Sequence, residues 1–467
     1  MRSASLLALA VGFGAVTITV ADDDSRGIGH FTPIAATAYA ELTADPAILE
    51  TQPWIIPAGY TQRIVSDESD LDISGPYDCA TFRNADWPDM TVSNETGRHA
   101  GRYLYRTHEI RPFLYASTCT STSAGLAAYQ ADGGGAISVV DRKTGEAKIL
   151  AQRADWEALD GLLWTPWGTL LFAEEAITAE LPDPGEPQAT SGLLYELVLD
   201  RRDPTRAVLV AARPLLGSLS HEGIETDAQG NVYVIDEDRN GSIYKFVPEH
   251  RGDLSAGQLY ALRVQGGLKT GAAEWVALDM DQVQVSARVA AAAVNATRYC
   301  RPEDLERIGK TMYVALTCED TTNAANLNGP SAVLAFTLNG ANPQVSYFVA
   351  PGVNVPVENR TAGITGMRAV DNLADGPDGS LWIVEDNVPS DIWVASPDRN
   401  GDGVADEVRL FASLKDNLAE GTGIYFGKDP KTLYVNVQHS ATGNDKTMAI
   451  TQRRGHDRDD KDEHDED

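Results

Sequence analysis

Histidine is scarce in this chain, with eight in 467 residues, and two of those, His456 and His464, fall at the C-terminus. A zinc site of the histidine-rich kind therefore has little support. No Gly-x-Ser-x-Gly elbow occurs, and Ser220-His221 lies in a segment that reads as the opening of a strand, so serine-based hydrolysis has no sequence support either. Basic residues are few: 38 against 68 acidic ones leave a formal charge of −30. That balance argues against binding nucleic acid through its phosphates. An acidic chain can still hold an anion where bound metal ions reverse the local sign. Long apolar runs are also lacking after the first twenty residues, which argues against a membrane partner.

The one apolar run, residues 6–20, follows Arg2 and ends at small residues before Asp22. It reads as a secretory signal over residues 1–21, with no twin arginine, followed by a lead-in at 22–57. A secreted or periplasmic, soluble and monomeric protein is expected. Residues 453–467 alternate basic, acidic and histidine residues without apolar periodicity, as a disordered charged tail does.

What is abundant is turn and strand. Glycine numbers 41 and proline 23, with 43% hydrophobic residues. One phrase recurs six times: a tight turn, an apolar strand, then carboxylates or histidine. It reads Gly-Arg-Tyr-Leu-Tyr-Arg-Thr-His-Glu at 101–109, Gly-Thr-Leu-Leu-Phe-Ala-Glu-Glu at 168–175 and Gly-Asn-Val-Tyr-Val-Ile-Asp-Glu at 230–237. It returns at 309–319, 379–386 and, without the glycine, at 431–439. Repeats of strand and turn predict an all-β, six-bladed β-propeller over 58–452. Outer strands are expected within 136–150, 193–210, 242–264, 332–349 and 391–414. The last repeat has too little chain after it, so residues 58–65 are expected to close the ring from the N-terminal side. Residues 181–189 read as a proline-rich loop and 287–296 as a short helix.

Four cysteines in an exported chain suggest two disulfides. Cys300 and Cys318 are equidistant from the turn at Gly309, which favours their pairing and leaves Cys79 with Cys119. The alternative for Cys318 is a thiolate metal ligand beside Glu319.

Around a propeller axis the inner strands converge. The segments nearest that mouth bring Glu109, Glu174, Glu175, Glu222, Glu303, Asp371, Asn372, Glu385, Asp386, Glu420, Gln438 and His439. Crowded carboxylates repel one another, and hard cations relieve the repulsion; oxygen donors of this kind suit calcium. A second candidate is the loop Asp398, Asn400, Asp402, Val404, Asp406, which places oxygen donors at alternate positions. It is either a calcium-stabilised hairpin loop or a turn whose aspartates bond only the backbone.

Thr165-Pro166-Trp167-Gly168-Thr169 with Glu174-Glu175, then His221-Glu222, Arg301-Pro302-Glu303, Asp371-Asn372-Leu373 and Val435-Asn436-Val437-Gln438-His439 occur in that order. Together they resemble the PhoX family of calcium- and iron-dependent alkaline phosphatases, six-bladed propellers with an axial metal cluster. The likeness spans roughly residues 97–439. It implies Glu174 or Glu175, Glu222 and Glu303 as cluster ligands, Asp371 and Asn372 as calcium-side ligands, and Arg301 as a phosphate clamp. The chain departs from the family at Ala173, where the family places the cysteine that binds iron. Calcium is therefore the expected cofactor and iron the doubtful one.

Two functions of different class follow: a secreted metal-dependent phosphoric monoester hydrolase acting on small phosphate esters, with Arg301 neutralising phosphoryl charge, or a non-catalytic calcium-binding propeller that recognises a ligand at its mouth. A weaker third is a calcium-dependent lactonase-type hydrolase.

Overall fold

The computed structural model describes residues 28–71, 87–97, 99–111, 134–153, 155–179, 181–318, 331–338 and 342–453. The leader at 1–21, Cys79, Cys119, Glu319 and the tail from 454 onward lie outside the described residues.

The repeated phrase is the seed of each sheet. Its alternating apolar residues face two neighbouring layers at once, so the strand is buried on both sides and must sit inside a stack of sheets. Two strands, β1 (Trp54–Ile55) and β2 (Tyr60–Asp67), precede the first repeat. β3 (Pro88–Ser93), β4 (Tyr103–His108), β5 (Ala136–Asp141) and β6 (Ala147–Gln152) then form one antiparallel sheet in chain order. β7 (Leu159–Trp164), β8 (Leu170–Glu174), β9 (Leu194–Leu199) and β10 (Ala207–Ala212) form the next.

β11 (Ile224–Thr226), β12 (Val232–Ile235), β13 (Ile243–His250) and β14 (Asp253–Val264) repeat the pattern. Here an unexpected strand intervenes. β15 (Gly271–Ala277) pairs with β14 on one side and, through Gly271 and Ala272, with β19 on the other. It therefore joins the outer edges of two neighbouring strand groups. With β16 (Pro302–Ile308), β17 (Thr311–Leu316), β18 (Ala332–Thr337) and β19 (Gln344–Val349) the result is one nine-stranded sheet. The helical segment after β15 runs Met280–Ala293, broken at Ser286, so it starts earlier than alanine content suggested. The reason is a cap: the Asp279 side chain accepts the amides of Asp281 and Gln282.

β20 (Val370–Asp375), β21 (Leu381–Glu385), β22 (Asp391–Ala395) and β23 (Val408–Leu414) take β1 as a fifth strand. β24 (Glu420–Phe426), β25 (Thr432–Gln438) and β26 (Lys446–Gln452) take β2, which pairs antiparallel with β26 from Tyr60↔Gln452 to Asp67↔Lys446. An N-terminal strand thus covers the edge left by the last repeat. The described part of the lead-in also packs against these sheets. Trp54 is fully buried among Trp382, Phe411 and Val435, and Tyr60 Oη donates to the Ile28 carbonyl at 2.7 Å.

The innermost strands pack in a closed cycle: β3 on β7, β7 on β11, β11 on β16, β16 on β20, β20 on β24, and β24 on β3. The fold is all-β and propeller-like. Its core is the set of apolar layers between successive sheets, for example Trp156, Phe172 and Tyr195, whose rings lie 4.9–5.6 Å apart. Cys300 and Cys318 are bonded, with Cα atoms 5.6 Å apart across the β16–β17 hairpin.

Candidate active site

Each inner strand opens with a carboxylate at the same end of the cycle. Asp89, Asp160, Glu303 and Asp371 are the second residues of β3, β7, β16 and β20, Glu420 is the first of β24, and Glu222 lies just ahead of β11. An ordinary strand would aim these side chains between sheets. Instead the register slips there: between Pro88 and Thr91, Leu159 and Leu162, Pro302 and Leu305, and Val370 and Leu373. A bulge inserts one residue and re-aims a side chain. The repeated phrase ends beside them, adding Glu109, Glu175, Glu237 and Asp386 from the residues that follow β4, β8, β12 and β21.

Close approach of neighbouring inner strands is permitted by glycine. A Cβ on Gly161 would lie 2.0 Å from the Glu222 carbonyl oxygen, and one on Gly223 would lie 2.2 Å from Asp304 Oδ1. This contact brings Asp160, Glu175 and Glu222 together, with ligand oxygens all within 4.8 Å of one another. Among the described residues it is the one such group of three. All three are buried or nearly so, and Asp160 Oδ1 has no hydrogen-bond partner.

Around this trio the charges interlock. Burial and then the charge of Asp160 raise Glu222 well above the usual carboxylate range, with Glu303, Glu175 and Glu237 adding to it. Burial likewise raises Glu303, next to Glu237 and Asp386. It raises Asp371, which faces Glu303, Asp386, Asp89 and Asp160. Asp89 is pushed to about 8 by burial and by Glu109. Glu109 goes the other way: burial opposes ionisation, but the charge and hydrogen bonds of Arg111, with the His439 ring nearby, outweigh it.

Three cationic or protonatable side chains cap the acidic floor. Arg301 reaches Glu237 at 2.6 Å and Glu303 at 3.1 Å. Arg111 binds both Glu109 and Glu175. His439 Nε2 lies 3.4 Å from Glu420, its ring edge-on to Trp87. Gln438 donates to Glu109 at 3.2 Å.

The sequence-derived set is thus divided. Glu175, Glu222, Glu303 and Asp371 converge, with Arg301 at the same mouth. Glu174 turns away from the axis: its two oxygens accept the amides of Glu157 and Leu193 at 3.0 Å, and burial raises its carboxyl to about 8. Asn372 is spent on the Gly423 amide, at 2.6 Å, and on Asp371. Glu385 accepts the Arg368 amide and sits with Asp391, Glu358 and Arg360, outside the axial cluster. In the loop 398–406, both Asp398 oxygens accept amides of residues 401–403, Asn400 accepts the Asp402 amide and Asp402 that of Val404, with Asp406 beyond them. His221 is buried, its Nε2 2.9 Å from the Gly217 carbonyl, and burial lowers it to about 4.

Asp89, Asp160, Glu237 and Arg111 were not singled out from sequence. A signal existed for Asp160: Asp160-Gly161, Glu222-Gly223 and Glu420-Gly421 share a carboxylate followed by glycine at an inner-strand opening. A cavity of about 770 Å³ occupies the opposite end of the inner strands, lined by Glu225, Asp304, Arg307, Leu373 and Tyr425, and holds none of the trio.

Donor chemistry decides which ion these residues fit. Carboxylate oxygens alone line the trio, which suits a hard cation. Ala173, by contrast, is fully buried among Leu171, Leu194, Leu216 and Ile224, and both described cysteines are tied in the disulfide. Among the described residues, no free thiolate is present to bind iron as in the resembled family.

A propeller-like chain with an acidic, arginine-capped site at one end of its inner strands has the frame of a hydrolase. The model of the family described as alkaline phosphatase PhoX matches residues 164–441, more than half of the chain. The chain belongs to the PhoX family of alkaline phosphatases, and its class of activity is that of a phosphatase. Among solved structures, Pseudomonas fluorescens PhoX in complex with vanadate, a transition state analogue, is similar with a TM-score of 0.64 at 19% identity, over 90% of this chain and 98% of that one. The Malassezia sympodialis allergen Mala s 1 aligns over 83% of this chain and 99% of its own at 11% identity, with a TM-score of 0.43. No curated protein matches the chain.

Proposed function

We propose that this protein is an exported phosphoric monoester hydrolase that works on small phosphate esters with a hard-cation site on the axis of a six-bladed propeller. The observation that carries the site is the trio Asp160, Glu175 and Glu222 with the orphaned Asp160 Oδ1. A buried carboxylate oxygen without a donor is costly unless a cation or proton meets it. A six-blade count is supported by reading the nine-stranded sheet as two groups bridged by β15, and by the cycle of six inner strands. Export is supported by the Cys300–Cys318 bond.

Asp160, Glu175 and Glu222 would hold calcium, with Glu303 and Asp371 beside them. A bound cation there would polarise phosphoryl oxygens. The chain's own contribution is orientation and charge. Arg301, fixed by Glu237 and Glu303, presents a rigid fork to the non-bridging oxygens and offsets the charge that grows as the ester bond breaks. The carboxylate floor keeps a phosphate dianion away until cations are in place, so substrate binding is conditional on metal.

The test is elemental analysis of the purified protein together with p-nitrophenyl phosphate hydrolysis, with and without added calcium. Calcium retention with calcium-dependent turnover is expected. Arg301→Ala is expected to retain calcium while losing about ten- to hundredfold in kcat/KM. A protein that holds calcium but leaves every phosphate ester intact would be the binding module instead.

A further inference from the structure

The two guanidiniums at the mouth are not equivalent in what sequence reveals. Arg301 belongs to a motif; Arg111 follows the first repeat with nothing to mark it. Yet Arg111 binds Glu109 and Glu175, so it touches the metal trio itself. Its Nε and Nη2 are directed to those carboxylates, with Nε 2.7 Å from Glu109 Oε1. Among the described residues Nη1 has no partner.

Exposure differs between the partners. The side chains of Arg111 and Arg301 are 35% and 24% exposed, whereas Glu109, Glu175, Glu237 and Glu303 are between 5% and 12%. The two arginine side chains are therefore the more exposed partners of these ion pairs. Arg111 binds Glu175 and Arg301 binds Glu237, which follow β8 and β12 at the same end of the cycle, so both arginines stand at that end. Glu109 and Glu175 hold the Arg111 plane in one orientation, which removes most of the rotamer cost of using it.

Resting on the phosphatase reading above, we infer that Arg111 is a second phosphate-contacting residue, donating through Nη1 to a non-bridging phosphoryl oxygen beside Arg301. A tetrahedral dianion has three such oxygens, so two guanidiniums held by different carboxylates can each donate to a different one. A guanidinium spent wholly on carboxylates would leave no donor for a ligand; among the described residues Arg111 leaves Nη1 unused.

The experiment uses the calcium-loaded full chain and inorganic phosphate as probe, by titration calorimetry. Arg111→Gln and Arg111→Lys are compared with wild type, each with its calcium content and melting temperature. Arg111→Gln is expected to raise the phosphate Kd about ten- to hundredfold. Arg111→Lys, which keeps charge but loses the fork, is expected to lie between, and KM for p-nitrophenyl phosphate should follow. Calcium content is expected to hold in both, since removing a competing cation from Glu109 and Glu175 does not weaken their hold on metal. Phosphate affinity within twofold of wild type in both variants overturns the inference. Loss of calcium in step with phosphate also overturns it, since Arg111 then acts only through the carboxylates. Wild-type protein that takes up calcium but no phosphate removes the phosphatase reading itself, and this inference with it.

Discussion

Removing one charge from the axial trio is expected to change the sign of its effect with metal. Asp160, Glu175 and Glu222 place ligand oxygens within 4.8 Å of one another. At an effective dielectric constant of about 20, each ionised pair repels by about 3.5 kcal/mol or more. Glu222→Gln keeps the volume and abolishes two of the three pairs, about 7 kcal/mol or more in the metal-free protein if all three were ionised. Protonation relieves part of this, because burial and mutual repulsion raise all three carboxyls well above their ordinary values. Above the unfolded values near 4, the folded state then binds more protons than the unfolded one, so stability falls as pH rises. It stops falling only above the folded-state values. Without metal, the variant is therefore expected to melt close to wild type near pH 5 and well above it at pH 9. With calcium the order reverses, since wild type gains more by linkage. Thermal melts from pH 5 to 9, in chelator and in calcium, read both. Superimposed metal-free curves at pH 9, or equal stabilisation of both proteins by calcium, would refute the reasoning.

Other substitutions separate roles that the sequence left merged. Glu174→Ala strips an acceptor from two buried amides, and is expected to cost about 2–4 kcal/mol in urea unfolding while calcium content stays intact; Glu175→Ala should do the reverse. Gly161→Ala drives a Cβ into the Glu222 carbonyl, so about 1–3 kcal/mol of stability and a measurable part of the calcium affinity should be lost together, by calorimetry. Cys300→Ser with Cys318→Ser opens a loop of 18 residues and is expected to lower stability by about 3 kcal/mol, with phosphatase activity per folded molecule unchanged.

The sequence by itself determined the strands. The repeated phrase predicts β4, β8, β12, β17, β21 and β25, and the stretch expected at 58–65 overlaps β2, Tyr60–Asp67, which covers the last sheet's open edge. These were legible because strand burial is a local pattern of period two, and a missing partner is a matter of counting. The Cys300–Cys318 bond was legible for the same reason, as a symmetry about one hairpin turn. Tertiary structure alone decided which carboxylates share the axis. Glu174 and Glu175 are adjacent in sequence, yet consecutive residues point to opposite faces, and only the packed neighbour tells which face is the axis. Asp160 and Asp89 come inward through bulges that no periodicity announces, and β15 bridges two sheets because two distant edges happen to meet. A charge becomes a site only where several blades bring theirs to one point, and that convergence belongs to the closed ring.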